Sequence, residues 1–511
     1  MPPDPLPIAS WLATPHAPHE VDVARAFPPR ADMGEATPIP IRLTGLTALR
    51  WAWRFARDPL MTTCRTLDVF GPFVMLSDAL PFTPPLTKPH RVVLLGVPLV
   101  LTAGAEFHRE LLSDTATWRG VSLLPGGPRN SAARRISLGL TRTTGGRHAH
   151  YRKLLACPLR KASVNVLIEE MARLAEAEVD SWPAGESINL SEYARRLMRR
   201  FAVELLFGGN SEQGYLIADL LSQLMEGKWG PSAFLLPINL PITSYGRIVR
   251  KSELLERHLL EWAGSKRGRV DVRDPASIIV NSPDADGDPQ DDAAIVGQIP
   301  SLFAAAFEAG QSALTWTLIL LMQHPRIMAE VFDELSMQVG TASPSLNRAG
   351  DLPFLDAVVK EAMRILPPVP LQIRVAQYDT TIATHSTPKG TRVILNALLT
   401  SRMSEVFPEG DVFRPERWFK IAPTVFEFPV FSGGPHSCPG YWFGLSAVKV
   451  ALAAILTRYR MALPAGVRID YMVQPTLRPL DSIPVLLHRQ DGAFASMPIS
   501  GKIRNLVRFP Q

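Results

Sequence analysis

Near its carboxyl end the chain reads FSGGPHSCPG, from Phe431 to Gly440. A stretch this rich in glycine and proline forms neither a helix nor an ordinary strand. Gly433, Gly434 and Gly440 leave backbone N–H groups unobstructed around the one sulfur, and a helix is expected to begin just after Gly440. Amides and a helix N-terminus both stabilise a thiolate. A thiolate held this way can attack a substrate, exchange electrons or ligate a metal. An inert buried cysteine behaves as a small hydrophobe and needs no such surroundings.

The rest of the chain narrows those choices. It has 511 residues, of which 46% are hydrophobic and 20% charged, so a large core can be buried. Its 47 prolines gather at the N-terminus and in loops, which predicts many fixed turns. The formal net charge of +6 is spread along the chain. No basic run is interleaved with aromatics, which argues against nucleic acid as a partner, whereas an acidic protein suits a locally basic face. Cys64, Cys157 and Cys438 are too few and too far apart for a disulfide framework, and match a reducing compartment. The N-terminus lacks the basic and apolar regions of a signal peptide. No window reaches the ~18 uninterrupted apolar residues of a membrane span. The expectation is a cytoplasmic, soluble protein with no transmembrane segment, in which FLLPINLP at 234–241 is an apolar loop over a pocket.

The patterning predicts a mainly α protein with a smaller β portion. Residues 1–40 read as a Pro-rich arm and 41–511 as a single domain. Its β-rich parts lie at about 85–105 and 375–400, and its helical parts at about 147–366 and 438–460. VVLLGVPLVLT at 92–102 suggests strand–turn–strand about Pro98. LIEEMARLAEAEVDSW and YARRLMRRFAVELLFG carry helical periodicity. SPDADGDPQDD at 282–292 resembles a calcium loop only faintly: its glycine comes early and Ile295 stands where a bidentate Glu is needed. The segment from Ala293 to Pro325 is apolar nearly all round, as a central buried helix is, with Glu308 its one mid-helix charge. FLDAVVKEAMRIL should end at Pro367-Pro368. VAQYDTTIATHSTPKGTRVILNALL alternates like small hairpins, with Pro388-Lys389-Gly390 as the turn. WFGLSAVKVALAAILTRYRM reads as a last apolar helix.

The loop resembles the haem-binding loop of the cytochrome P-450 family, Phe-x-x-Gly-x-(Arg/His)-x-Cys-x-Gly, at Phe431, Gly434, His436, Cys438 and Gly440. The resemblance implies the cytochrome P-450 fold, with haem b between the long central helix and the helix after the cysteine loop. It implies that Cys438 is the axial thiolate and metal ligand, with Phe431 beside the sulfur tuning its donation. Two further motifs match in order. Glu361-Ala-Met-Arg364 matches the family's Glu-x-x-Arg, and Phe413-Arg-Pro-Glu-Arg417 supplies the third member of a buried ion network, Glu361, Arg364 and Arg417. For the haem propionates the resemblance supplies Arg374, His148 and Arg152 (the family's Trp/His-x-x-x-Arg), and His436. His148 and His150, two residues apart, diverge on a helix and make a poor metal pair. The resemblance covers about residues 85–490.

The central helix departs from the family. Its usual Ala/Gly-Gly-x-(Asp/Glu)-Thr delivers protons to dioxygen at the active centre. Two registers are available. Ala305-Ala306-Phe307-Glu308-Ala309 keeps the acid and is preferred; Ala309-Gly310-Gln311-Ser312-Ala313 puts Ser312 in its place. Both put alanine at the threonine position. Three routes stay open: the substrate supplies the missing hydroxyl or a held water; Ser312 or Thr315 holds a relay water; or the enzyme does not split dioxygen in the usual way. The family's fatty-acid peroxygenase branch carries an Arg and a Pro in this part of the helix, and neither is present. Small Ala305, Ala306 and Gly310, with Leu371 and loops 119–140 and 226–245, would line an apolar pocket. A second departure follows the cysteine, where Gly444 and Ala447 replace the family's usual Ala and Glu.

The expected function is a haem-thiolate monooxygenase that inserts one atom of O2 into a lipophilic small molecule such as a terpenoid, polyketide or fatty acyl chain. Electrons would come from separate ferredoxin and ferredoxin reductase-type donors, because no flavin- or NADPH-binding segment is appended. The alternatives are a peroxygenase, an oxidative coupling or rearrangement enzyme of the same haem-thiolate type, and a non-catalytic haem binder or gas sensor.

Overall fold

The computed structural model describes residues 41–42, 45–77, 98–122, 124–209, 211–226, 238–240, 242–269, 274–284, 286–339 and 352–510. The arm expected over 1–40 lies outside them, as do the first half of the strand pair expected at 92–102 and most of 226–237. The chain divides into two compact units. One comprises the residues up to Val121 with Val369–Asp411 and Pro423–Ser437. The other comprises Ser122–Pro368, Val412–Ala422 and Cys438–Gln511.

The first unit is built on a six-stranded sheet. Its strands are β1 (Ile41–Arg42), β2 (Phe73–Ser77), β3 (Leu99–Thr102), β4 (Trp118–Gly120), β6 (Leu371–Ala376) and β9 (Arg392–Asn396). Their order across the sheet is β1-β2-β3-β9-β6-β4. β3 runs parallel to β9, with Leu99 opposite Arg392, and β6 runs antiparallel to it, with Leu371 opposite Asn396. Side chains alternate along a strand, and one set packs Phe73, Val100, Trp118, Val393 and Leu395 against Phe107 and Leu111. The last two belong to helix α3 (Ala105–Ser113), which follows α1 (Gly45–Arg57) and α2 (Pro59–Phe70).

The hairpin β7 (Thr380–Ile382) to β8 (His385–Thr387) closes at Ala383 and Thr384, with φ of 44° and 73°. Positive φ at both central residues is the type I′ form of the two-residue hairpin loop. Neither residue advertises it, so the turn is silent in the sequence. Pro388-Lys389-Gly390, expected to close the hairpin, instead leads β8 into β9, with the Gly390 N–H donating to Ala376 O at 2.8 Å.

The second unit is helical. It contains α4 (Ala132–Ile136), α5 (Gly145–Leu159), α6 (Lys161–Val179), α7 (Leu190–Leu206), α8 (Glu212–Glu226), α9 (Ser244–Lys266), α10 (Pro275–Asn281), α11 (Asp292–Met322), α12 (Pro325–Val339), α13 (Pro353–Ile365) and α14 (Tyr441–Arg458). α5 ends with Pro158 inside its last turn. Two small sheets accompany the helices. One is β5 (Ser187–Asn189) with β10 (Tyr459–Ala462) and β13 (Pro484–Arg489); the other is the hairpin β11 (Tyr471–Val473) to β12 (Leu477–Pro479).

α11 is the axis of this unit. Asp291 caps it by accepting from the Ala294 N–H at 2.6 Å. Phe303 and Phe307 stack at 5.7 Å, and Phe207 meets Phe303 edge-on. α11 and α14 have the length and apolarity to cross a membrane, yet both are largely buried by the protein itself. α14 stops earlier than its apolar run suggests. Tyr459 and Met461 are buried while Arg460 and Ala462 are half-buried, a period of two that pairs with β13. Lys449 of α14 is buried and held by Asp356 of α13 at 3.0 Å, while Ala447 simply packs. In the acidic loop, Asp284 Oδ1 accepts the backbone N–H groups of Asp286 and Asp288, so the carboxylate serves the turn itself.

Candidate functional site

The cysteine loop is two single 3-10 turns, Pro429–Phe431 and Gly434–His436. Gln372 donates to Pro429 O at 2.6 Å, and a His436 ring nitrogen lies 3.2 Å from Trp118 O. Gly434 is required twice over. Its φ is +56°, and a Cβ there would stand 3.0 Å from Leu112 O. Gly440 is different: its φ is ordinary and a Cβ would sit 3.8 Å from Cys438 Sγ. Phe431 is half-buried at the end of its turn. Cys438 is half-buried just before α14. Burial pushes its thiol up, and the Gly440 N–H and the charge of Arg152 oppose that rise without reversing it.

The cations that the resemblance asks for are divided between the two units. His148 and Arg152 lie one turn apart on α5, the first buried and the second half-buried. Burial lowers the Arg152 pKa, and Cys438 works against that. Arg374 of β6 donates to Ile373 O at 3.0 Å and Ser432 Oγ at 3.4 Å. Its Nε is buried without a partner among the described residues. Burial alone lowers this guanidinium to about 10. A buried cation of this kind calls for an anion, and a propionate carboxylate is one. Taken unit by unit, the donors fit the parts of haem: in the second unit a sulfur near an amide and a cation suits the iron, and in the first a buried guanidinium with donor capacity to spare suits a propionate.

No motif or spacing pointed to His108. It is fully buried on α3, with Nδ1 2.9 Å from Gly104 O and no partner for Nε2 among the described residues. Burial, then the charge of Arg374, lowers it to about 4, against the hydrogen bond to Gly104.

Three groups of residues on α11 meet different surroundings. Ala305 is exposed, and Ala306 and Ala309 are half-buried, in a helix whose other residues near them are mostly buried. Small side chains leave this strip open to a ligand. Gly310, expected to make room for substrate, is buried against α7 instead: a Cβ would stand 3.0 Å from Met198 Sδ. The third group is Glu308, Ser312 and Trp316, successive at i+4, with Ser312 and Trp316 about two turns beyond Ala305 and Ala309 on the same side of the helix. Thr476 donates to Glu308 Oε2 at 3.3 Å, and Ser312 and Trp316 both donate to Leu477 O, at 2.5 and 2.8 Å. The Ser312 hydroxyl, one expected holder of a relay water, thus spends its proton on the β11–β12 hairpin. Thr315 Oγ1 is buried without a partner among the described residues. Leu371 opens β6, half-buried.

Glu361 is fully buried on α13. Arg364 reaches it through Nε and Nη2, both at 2.8 Å, and Arg417 through Nε at 3.0 Å. The Arg414 N–H and Trp418 Nε1 each add a bond at 3.0 Å. Burial raises the carboxyl pKa, but the two guanidiniums and the amide win and hold it below the usual range. Trp418 and the Arg414 amide were not legible in the motif, because they meet the acid only through the fold.

The Cytochrome P450 family profile matches residues 91–480. Cyclooctatin synthase of Streptomyces melanosporofaciens is 28% identical over 70% of this chain and 81% of its own. Cytochrome P450 71D181 of Origanum vulgare is 28% identical over 58% of this chain, which spans only 63% of that relative's length. Tryptamine 5-hydroxylase of Oryza sativa subsp. japonica is 26% identical over 68% and 70%. Among solved structures, the retinoic acid bound cyanobacterial CYP120A1 superposes with a TM-score of 0.72 at 22% identity, covering 89% of this chain and all of that one. A six-coordinated cytochrome P450 from Thermus thermophilus gives 0.62 at 22% identity over 84% and 99%. With its fold, its motifs and most of its length matched, the chain belongs to the cytochrome P450 family, oxidoreductases whose cofactor is haem b.

Proposed function

We propose that this P450 monooxygenase oxygenates a lipophilic small molecule, a terpenoid, polyketide or fatty acyl chain, in the cytoplasm, drawing electrons from separate ferredoxin and ferredoxin reductase-type partners. Cys438 is its axial thiolate, and the observation that carries this is the Gly440 N–H and Arg152 charge acting on that one sulfur. Haem held there supplies the oxygen-activating chemistry. The protein's own residues do the rest. Arg374, Arg152, His148 and His436 hold the propionates. Gly434 permits the turn that presents the sulfur, and Phe431 and Gly440 flank it. Glu361, Arg364 and Arg417 brace the chain ahead of the loop. Ala305, Ala306 and Ala309 offer the substrate an apolar face that excludes water, and Glu308 is the proton-bearing group nearest to it in sequence.

Ala309 favours a second reading, in which the enzyme takes peroxide in place of oxygen and electrons, since an alanine relays no proton. A screen of lipophilic compounds by difference spectroscopy, followed by turnover, decides between them. The first reading expects product with NADPH, reductase, ferredoxin and oxygen. Product from peroxide alone, with none from the reduced partners, overturns it. Cys438→Ala should lose the far red-shifted carbon monoxide band of a thiolate-ligated haem, and retention of that band refutes the ligand assignment.

A further inference from the structure

The open strip of α11 holds three alanines and no group that carries a proton. The hydroxyl next along the helix, Ser312, is committed to Leu477 O, which also receives Trp316 Nε1. Glu308 is the one carboxyl in the middle of this helix, and it is met from outside the helix by Thr476, at the turn of the β11–β12 hairpin. Both groups are nearly inaccessible, Glu308 at 3% and Thr476 at 2% exposure. The turn is fixed independently of that contact. Leu477 N–H donates to Pro368 O at 2.8 Å, and Gln474 N–H donates to Thr476 O at 3.0 Å.

Building on the monooxygenase reading, we propose that Thr476 is a positioning residue for Glu308, and that this hydroxyl–carboxyl pair, assembled from a hairpin and a helix, handles the protons that Ala309 cannot. The physical reason is directional. A hydroxyl donating to Oε2 makes that oxygen the acceptor, so when the carboxyl is a neutral acid its proton sits on Oε1. It also fixes the side chain, since a rotated carboxyl would strand a buried donor. Ser312 and Trp316 are then the dock that keeps the hairpin in register with Glu308. A carboxyl delivering a proton is effective only when its orientation and protonated oxygen are set in advance.

Thr476→Val removes the hydroxyl and keeps the shape; Thr476→Ser restores a hydroxyl. Two measurements are needed. By infrared difference spectroscopy on the haem-loaded protein, the carboxyl band of Glu308 is the one that Glu308→Gln abolishes. The expected result is that Thr476→Val moves this band and Thr476→Ser returns it. In turnover with ferredoxin donors, Thr476→Val should raise peroxide released per NADPH consumed about tenfold, with Thr476→Ser returning within about twofold of wild type. An unmoved band, or peroxide yields that ignore Thr476→Val, overturns the proposal even if the variant melts earlier, because a merely structural threonine changes stability and neither readout. A wild-type protein inert with the donors overturns the monooxygenase reading, and the infrared comparison still decides Thr476.

Discussion

Arg374 and His108 show how much a single buried group can report. Arg374 is a guanidinium in search of an anion: its Nε has no partner among the described residues, and burial alone has lowered it. Arg374→Met keeps the length and removes the charge. We expect the haem-free protein to unfold no more easily than wild type, while haem transfer to apomyoglobin speeds up about tenfold or more, the loss of a charge-assisted bond of roughly 1.5–3 kcal/mol. His108 makes the opposite kind of prediction. Its folded value of about 4 lies below its ordinary 6.5. Above pH 6.5 neither folded nor unfolded chain protonates it, and stability is unaffected. As pH falls from 6.5 toward 4 the unfolded chain takes up the proton first, so folding loses up to about 3 kcal/mol. His108→Asn, titrated by thermal unfolding, should flatten the wild-type curve in that window. Cys438, Arg364 and Arg374 could be singled out as candidates through the family resemblance, because a ten-residue signature and its companions point to them. His108 could not, since an isolated histidine in an amphipathic helix looks the same whether it is buried or solvated.

At the scale of elements, the clearest object is the junction of α13 with the segment from Val412 to Trp418. Glu361 gathers donors from two arginines, a tryptophan and a backbone amide, and an amide in its place keeps one acceptor oxygen, so it loses either the donors at Oε1 or those at Oε2. Glu361→Gln should destabilise the protein at neutral pH by about 3–5 kcal/mol, because two buried guanidiniums lose their counter-charge. The sign with pH follows from the depressed carboxyl. Its contribution is whole above the ordinary value of 4.5 and fades as pH drops through the lower folded value. Urea unfolding should therefore show wild type and variant far apart at pH 7 and drawing together as pH falls below 4.5. Long elements were readable because periodicity accumulates over many residues, as it does for α6 and α7, and because a long nearly unbroken apolar run marks α11. Their ends were less so. The close of α14 and the Ala383-Thr384 turn were set by pairing with β13 and by strand geometry, which local sequence does not encode. The neighbours of Gly310 and Ser312 were not legible for a related cause: a helix sequence states which residues share a face, not which neighbour that face meets.

At the scale of the whole molecule, charge and connectivity carry the expectation. The chain bears a net charge of +6, and the proposed donor is an acidic ferredoxin. If attraction guides their encounter, the rate of first-electron delivery should fall several-fold between about 0.05 and 0.5 M salt, as the screening length contracts. Stopped-flow reduction under carbon monoxide measures it, and a salt-independent rate would assign recognition to apolar contact. The three groups on α11 bear on a different matter, how readily such an enzyme changes its diet. Ala305, Ala306 and Ala309 lie open, Gly310 seats α7, and Glu308, Ser312 and Trp316 grip the hairpin, the last two about two turns beyond the alanines on the same side of the helix. Position along and around a single helix thus separates what can vary from what cannot. A laboratory library confined to the alanine strip would explore new substrates at little risk to folding, whereas equal diversity one residue along would mostly return unfolded protein.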